Sequence, residues 1–302
     1  MTIAQLQQEF LASNKERIAS EDFFILLAHA TKKEKVFLLA HPKYGLAAAD
    51  EVLARDYFRR RLRHEPIAYI VGHKEFYGYD FLVTKDTLIP RPETELVVEQ
   101  ALDRIRNGEK NTHILDIGTG SGNIIIAIAK EIEKKYQVSL RRQASGGQAG
   151  IRYQATDISE RALHIAKQNA KWYNVDNIIE FHEGNLFAPL NKEIFSANKI
   201  IITANLPYLS HALYGETAPG VRDFEPRGAL ISDQGGLSHY YRLLESVRSF
   251  YTQKQSLTLF LEISPEQTLL FQSFIQSLFP NAQIQIHKDL AQKDRVVEVC
   301  LQ

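Results

Sequence analysis

Apolar positions recur at helical spacing through roughly the first quarter of the chain and then change period. Leu6, Phe10 and Leu11 share one helical face, as do Phe23, Phe24, Leu26 and Leu27, and then Val36, Leu38 and Leu39. His41-Pro42 and Tyr44-Gly45 interrupt the pattern, and a further helix is expected from Ala47 to Arg63. The spacing predicts a small helical bundle over residues 1–73. From Lys74 to Ile89 aromatic and β-branched residues surround a turn, Phe76-Tyr77-Gly78-Tyr79-Asp80-Phe81-Leu82-Val83. That predicts a β-hairpin joining two domains, with residues 74–92 as the linking segment. The prolines of Ile89-Pro90-Arg91-Pro92-Glu93-Thr94-Glu95 stiffen the chain ahead of an amphipathic helix that reaches Leu102.

Residues 93–302 read as a second, larger domain. Strands are expected at His113–Ile117, Ile151–Asp157, Ile178–His182, Ile200–Ala204, Leu257–Ile263, Ala282–His287 and Arg295–Leu301. Helical patterns fall between most of them, at Gly122–Lys135, Ser159–Asn174, Gly236–Thr252 and Pro265–Leu278. Such alternation predicts an α/β fold, a mainly parallel sheet with helices on both faces. The last two strands are joined by a short connection, so one of them should run antiparallel to the rest. A stretch at about 137–150, ending in Gln143-Ala144-Ser145-Gly146-Gly147-Gln148-Ala149-Gly150, is small, polar and glycine-rich, and is expected to be a flexible surface insertion.

The first of these strands runs into a glycine-rich turn, His113-Ile114-Leu115-Asp116-Ile117-Gly118-Thr119-Gly120-Ser121-Gly122-Asn123. Glycines admit unusual dihedrals and let a ligand approach the backbone, and N–H groups at the helix start can meet its polar end. The spacing G-x-G-x-G differs from the dinucleotide fingerprint G-x-G-x-x-G, which argues against a pyrophosphate cofactor. A second signal is Asp157, closing the strand Tyr153-Gln154-Ala155-Thr156-Asp157, where a carboxylate can accept from both hydroxyls of a ribose. Turn and strand-end acid together resemble the class I S-adenosylmethionine methyltransferases, and the insertion accounts for the long gap between them. After the third strand, Gly184-Asn185-Leu186-Phe187 offers the Asn185 amide oxygen where many such enzymes place an acid. The plain alternative for Asn185 is a turn asparagine.

Ile200-Ile201-Ile202-Thr203-Ala204 leads directly into Asn205-Leu206-Pro207-Tyr208, a polar, proline-stiffened tip at the carboxyl edge of the sheet, where ligands bind. An amide or ring-bound amine is a poor nucleophile because its lone pair is delocalised. An enzyme can hold such a nitrogen by accepting hydrogen bonds from its N–H₂ group. The Asn205 side-chain oxygen and a main-chain carbonyl, that of Leu206, are suitable acceptors, so catalysis would rest on positioning and electrostatics. Pro207 would fix the backbone and Tyr208 would pack against the planar target group. No general base is evident. Taken alone, the segment also reads as a strand ending in an ordinary Asn-x-Pro turn.

Composition narrows the partners. Among 302 residues, 36 Lys and Arg balance 36 Asp and Glu, so no global positive field exists to hold long nucleic acid. The single cysteine, Cys300, precludes an intramolecular disulfide and, ending an apolar run, reads as a core thiol. The start Met1-Thr2-Ile3-Ala4-Gln5-Leu6 has no apolar signal core, and the longest apolar stretch, Ile124 to Ala129, is too short to span a bilayer. A cytoplasmic monomer without membrane association is expected. The histidines, His29, His41, His64 and His73 among them, show no metal-ligand spacing, and no metal is expected. Arg55, Arg59, Arg60, Arg61 and Arg63 could meet an acidic partner or RNA, but more simply form a solvated helix face.

Several segments carry a more specific resemblance: Glu65-Pro66-Ile67-Ala68-Tyr69-Ile70, Leu88 through Glu95, the Asp116–Gly122 turn, Val221-Arg222-Asp223-Phe224-Glu225-Pro226 and Leu261-Glu262-Ile263. With these the chain resembles the HemK/PrmC family, whose members methylate the glutamine of the Gly-Gly-Gln motif in peptide chain release factors. The Pro-Arg-Pro-Glu-Thr segment discriminates best, because the cofactor turn is common to all class I enzymes. The resemblance implies a Rossmann-like, seven-stranded, mostly parallel sheet behind an N-terminal helical domain that recognises substrate. It implies S-adenosylmethionine bound by Asp116, Gly118, Thr119, Gly120, Ser121, Gly122 and Asp157, with Asn185, Leu186 and Asn205 completing the site and Leu186 lining the adenine region. Asn205, Leu206, Pro207 and Tyr208 would hold the substrate glutamine of a release factor, with no stable nucleic-acid binding.

Three positions depart from the family pattern: Leu206 stands for a proline, Asn185 for an acid, and Ser264 for a glycine. Leu206 keeps the carbonyl acceptor and loosens the backbone. Asn-Leu-Pro-Tyr also occurs in ribosomal RNA adenine dimethyltransferases, so an adenine-N6 methyltransferase acting on RNA or DNA is the competing reading. Those enzymes usually carry the accessory domain after the catalytic one and are basic. Gly146-Gly147-Gln148 repeats the expected substrate tripeptide, which low-complexity composition alone explains.

Overall fold

The computed structural model describes residues 1–13, 19–105, 111–140, 150–191, 194–195, 197–252 and 255–301. The chain divides into two compact units, Met1–His73 with Ala218–Phe224, and Lys74–Thr217 with Glu225–Gln302. In the first unit five helices, α1 (Ile3–Ser13), α2 (Ser20–Thr31), α3 (Lys35–Ala40), α4 (Ala48–Arg61) and α5 (Ile67–Val71), are joined by α10 (Pro219–Phe224). Its core is aromatic: Phe58 lies 4.8 Å from Phe10 and 5.0 Å from Phe23, ring centre to ring centre. The arginine-rich face of α4 is largely spent on ion pairs, Arg55 to Glu9 and Glu51, Arg59 to Asp56, Arg60 to Glu65 and Arg61 to Asp22. Gly220 is confined by the same unit, since a Cβ there would sit 2.8 Å from the His64 carbonyl.

The larger unit opens with the hairpin of β1 (His73–Phe76) and β2 (Tyr79–Leu82). Tyr77 and Gly78 both take positive φ, 54° and 75°, as a two-residue turn matched to strand twist requires. Phe76, Tyr79 and Phe81 are buried with Val97 and Val98 of α6 (Glu95–Arg104). Seven strands follow: β3 (Thr112–Ile117), β4 (Ile151–Asp157), β5 (Ile179–Glu183), β6 (Lys199–Ala204), β7 (Ser256–Glu262), β8 (Gln283–Lys288) and β9 (Asp294–Leu301). They lie in the order β5-β4-β3-β6-β7-β9-β8, with β9 antiparallel to both β7 and β8 and the other pairings parallel. This is the expected mostly parallel sheet.

Strands β3 and β6 are covered on both faces, which is why their sequences are continuous apolar runs rather than alternating ones. Ile200 and Ile202 enter one core cluster and Ile201 the other, all fully buried. Cys300 is buried in β9 beside Thr258. Long helices α7 (Asn123–Leu140) and α8 (Glu160–Trp172), then Ser238–Phe250 and Thr268–Leu278, fall where the periodicity puts them. The stretch between β6 and Ser238 carried no expected element, yet contains α9 (His211–Glu216) and a tight turn at Asp233–Gly236. Most of the segment read as a flexible insertion, residues 141–149 with the Gly-Gly-Gln tripeptide, lies outside the described residues. Among the described residues no helix is long and apolar enough to cross a membrane, and no cluster of histidine, cysteine and acidic side chains suits a metal ion.

Candidate active site

Register sets the site. Ile117 of β3 lies opposite Thr156 of β4 and Ala204 of β6, so three strands end at one level and release their loops at the same sheet edge. The glycine turn folds back at once: the N–H groups of Gly118 and Thr119 both donate to the Thr156 carbonyl, at 2.8 and 3.0 Å. Gly118, Gly120 and Gly122 hold φ of 75°, 58° and 81°, a region that favours glycine. Asp116 does not face the ligand space. It is fully buried beneath the turn, accepting from the Thr119 hydroxyl at 2.6 Å and from Thr203, its register partner on β6, at 2.8 Å. Burial pushes its carboxyl up to about 6, against the stabilising pull of the two hydroxyls.

Above the turn is a cavity of about 270 Å³, and Gly118, Thr119, Gly120, Ser121, Asp157, Asn185, Leu186, Asn205, Leu206 and Pro207 all line it. Asp116, Gly122 and Tyr208 do not. Gly122 instead packs under the turn against Ile126 and Ala166. The Asp157 carboxylate accepts from the N–H of Gly120 at 2.8 Å and of Ser159 at 2.9 Å, so it braces the turn from the next strand. Its remaining lone pairs are available to hydroxyl donors. Burial is the main influence on Asp157 and raises its pKa. Leu186 sits at φ 51°, a conformation costly for leucine, and so presents its side chain to the cavity.

The tip after β6 is pinned from several sides. Asn205 donates from Nδ2 to the Thr94 hydroxyl oxygen at 3.0 Å, which leaves Oδ1 as the free face of its amide. The Leu206 N–H donates to the buried Tyr240 hydroxyl at 3.1 Å, and Tyr240 in turn donates to the Glu262 carbonyl. A proline at 206 would have no N–H to offer, so leucine gains an anchor where it loses ring stiffness. Its side chain rests on the glycine turn: a Cβ on Gly118 would come 2.7 Å from Leu206 Cδ2. The Tyr208 hydroxyl points inward and donates to Glu262 at 3.1 Å, rather than offering its ring to the cavity. Burial and the facing carboxylate drive the Tyr208 pKa upward. The Tyr208 carbonyl is held at 2.8 Å by the Gln267 amide, which also grips the Gly235 carbonyl at 2.8 Å.

Several residues of the site were not singled out as ligands from sequence. Pro90, Arg91 and Thr94 line the cavity from the proline segment, and Pro226, Gly228 and His239 from beyond the tip. Arg91 reaches the buried Glu225 at 2.5 Å, and the Ile89 N–H donates to the same carboxylate at 3.2 Å. The Leu88–Glu95 segment thus meets Glu225, the fifth residue of the second notable motif, through an ion pair and a main-chain hydrogen bond. Spacing alone could not have linked them across more than a hundred residues.

Residues 4–72 match the PrmC N-terminal domain and residues 108–218 a methyltransferase domain. With the strand order and the cavity at its switch point, the larger unit is a class I methyltransferase. Release factor glutamine methyltransferases of Rhodopirellula baltica and Bacillus anthracis are 32% and 30% identical to this chain over 303 and 276 residues. The first alignment spans 99% of this chain and 95% of that protein, the second 90% and 89%. The chain belongs to the release factor glutamine methyltransferase family. The hMettl16 catalytic domain, solved in complex with MAT2A 3′UTR hairpin 6, is 13% identical, with a TM-score of 0.54 over 84% of this chain and 81% of that one, and shares the fold alone.

The cofactor of this class is S-adenosylmethionine, and the residues present fit it. Open space lies above Gly120, where a Cβ would meet nothing within 4 Å. A strand-end carboxylate stands at Asp157, and Ile158 and Leu186 give apolar walls suited to a planar ring.

Proposed function

We propose that this protein transfers a methyl group from S-adenosylmethionine to the side-chain amide nitrogen of the glutamine in the Gly-Gly-Gln motif of peptide chain release factors. The observation that carries the reading is the orientation of Asn205: with Nδ2 committed to Thr94, its Oδ1 is the acceptor left for a substrate N–H₂. The bound cofactor supplies a sulfonium methyl. Asn205 Oδ1 and the Leu206 carbonyl accept the two N–H groups of the target and so fix the direction of its nitrogen. Holding a reactant in this way is worth several kcal/mol (~7–11 at the upper end for well-oriented pairs) without any proton transfer. The apolar side chains around Leu206 keep water from competing for these acceptors.

An adenine N–H₂ would satisfy the same two acceptors. Family membership favours the amide, as do the balanced charge and the ion-paired arginines of α4. We assign recognition of the wider release-factor surface to the helical residues 1–73, a domain ahead of the catalytic one. Modification of a translation factor is cytoplasmic work. The deciding experiment incubates purified protein and labelled cofactor with a release factor, with its Gly-Gly-Gln glutamine changed to alanine, and with ribosomal RNA. Label is expected on the unmodified factor alone. Label on the alanine variant, or on RNA only, refutes the reading.

A further inference from the structure

His239 is the second residue of the helix Ser238–Phe250 and lines the cavity together with Asn205, Leu206 and Pro207. Its neighbours hold it beside the tip. Three residues back, Gly236 packs on the Tyr208 carbonyl, and the next residue, Tyr240, receives the Leu206 N–H at 3.1 Å. The imidazole is half-buried, and neither ring nitrogen has a hydrogen-bond partner among the described residues. Only the main-chain N–H is engaged, with the Ser232 hydroxyl. A histidine kept for packing alone ordinarily satisfies at least one ring nitrogen.

Gaining a methyl group leaves the target nitrogen with one proton too many. Its lone pair forms the new C–N bond while the electron pair of the broken C–S bond returns to sulfur. One N–H bond must then break, its electrons going back to nitrogen. Asn205 Oδ1 and the Leu206 carbonyl orient the nitrogen, but neutral carbonyl oxygens are too weakly basic to keep a proton. Among the described residues, the other titratable groups lining the cavity are Asp86, Arg91 and Asp157. Arg91 is a cation paired with Glu225, Asp86 turns toward Thr84 and Arg161, and Asp157 is spent on the N–H groups of Gly120 and Ser159. His239 is the base left on the tip side. Burial and then Arg242 lower its pKa, against the pull of Asp233, which itself lies 3.2 Å from His211. The ring is therefore neutral at neutral pH and ready to accept.

We propose that His239 is the proton acceptor of the methyl transfer, taking the proton that the target nitrogen sheds and then releasing it to solvent. The inference rests on the reading of an N–H₂ group held at Asn205, and adds to it where the proton goes.

The test compares the full chain with His239→Ala and His239→Gln. Three quantities are measured: kcat on a release factor from about pH 5 to about pH 9, the release-factor KM, and the cofactor dissociation constant by calorimetry. In the unmodified protein kcat should fall about tenfold per pH unit below an apparent pKa under 6.5. Both variants should lose about tenfold or more in kcat at neutral pH and lose that acid limb, with KM and the cofactor constant within about twofold. Glutamine keeps polarity and bulk but cannot hold the proton, so retained kcat in His239→Gln overturns the role. An acid limb that persists in either variant overturns it too, as does a loss confined to KM or the cofactor constant. An adenine N–H₂ sheds a proton in the same way. If label goes to ribosomal RNA instead, the functional reading falls, and the same pH comparison on RNA still decides the role of His239. Label on neither substrate overturns both.

Discussion

Tyr240→Phe removes one hydroxyl from a fully buried ring and little else. That hydroxyl accepts the Leu206 N–H at 3.1 Å and donates to the Glu262 carbonyl, so it ties the tip to the end of β7. Leu206 is 5% exposed, and water cannot take over the lost acceptor. An orphaned buried donor costs about 1–3 kcal/mol. In a domain of this size each kcal/mol lowers the thermal midpoint by about 2–4 °C. If the same loss falls on the transition state, kcat drops by roughly 5- to 150-fold. Leu206→Pro provides the control, because proline has no N–H to orphan. In that background Tyr240→Phe should cost less by about 1 kcal/mol or more, read from chemical denaturation and kcat in a double-mutant cycle. Equal costs in both backgrounds would refute the argument that Tyr240 compensates for the missing proline.

Three further outcomes are expected. The Asp116 carboxyl rises from 3.8 to about 6 on folding, so the folded state keeps a proton that the unfolded chain has released in that window. Stability should therefore fall by about 3 kcal/mol as pH rises from about 4 to about 6, and Asp116→Asn should remove that component. Denaturation midpoints across the range check this, and an unchanged slope in the variant counts against it. Gly236→Ala would drive a Cβ into the Tyr208 carbonyl and the Gln267 amide at φ 92°. A loss of about 2 kcal/mol or more in urea unfolding is expected, with kcat falling alongside. Arg91→Met would strand the buried Glu225 carboxylate, at a cost of about 3 kcal/mol. Adding Glu225→Gln should recover most of it, and a doubly destabilised protein would show the pair is not the cause.

Where a pattern repeats over several turns or strands, the fold was legible. The seven expected strands match the seven observed to within a residue or two at each end, because burial on both faces leaves unbroken apolar runs such as Ile200–Ile202. The segment from Asn205 to Leu237 was not legible. Its elements are too short for helical periodicity, and its geometry comes from left-handed residues, Gln234, Gly235 and Gly236, braced by Gln267 from a distant helix start. The site divides in the same way. Gly118, Gly120, Asp157 and Asn205 could be placed from their positions at strand ends. The inward turn of Tyr208 and the buried seat of Asp116 could not, since each depends on a partner from another strand, Glu262 and Thr203. Thr94 was visible only as part of a signature, with nothing local to connect it to Asn205.

The contact between Gly118 and Leu206 has a consequence for how such a sequence can drift. The glycine turn after β3 and the Asn205–Tyr208 tip after β6 touch at one point, where a Cβ on Gly118 would meet the Leu206 side chain. A side chain at 118 would have to adopt φ 75° and push the Leu206 methyl aside, so the packing of leucine at 206 is matched to a bare 118. Leucine at 206 also asks for a tyrosine at 240 to receive its N–H. Exchanging proline for leucine in this tip is thus coupled to position 240, and leucine at 206 without the Tyr240 hydroxyl should be worse than either matched pair.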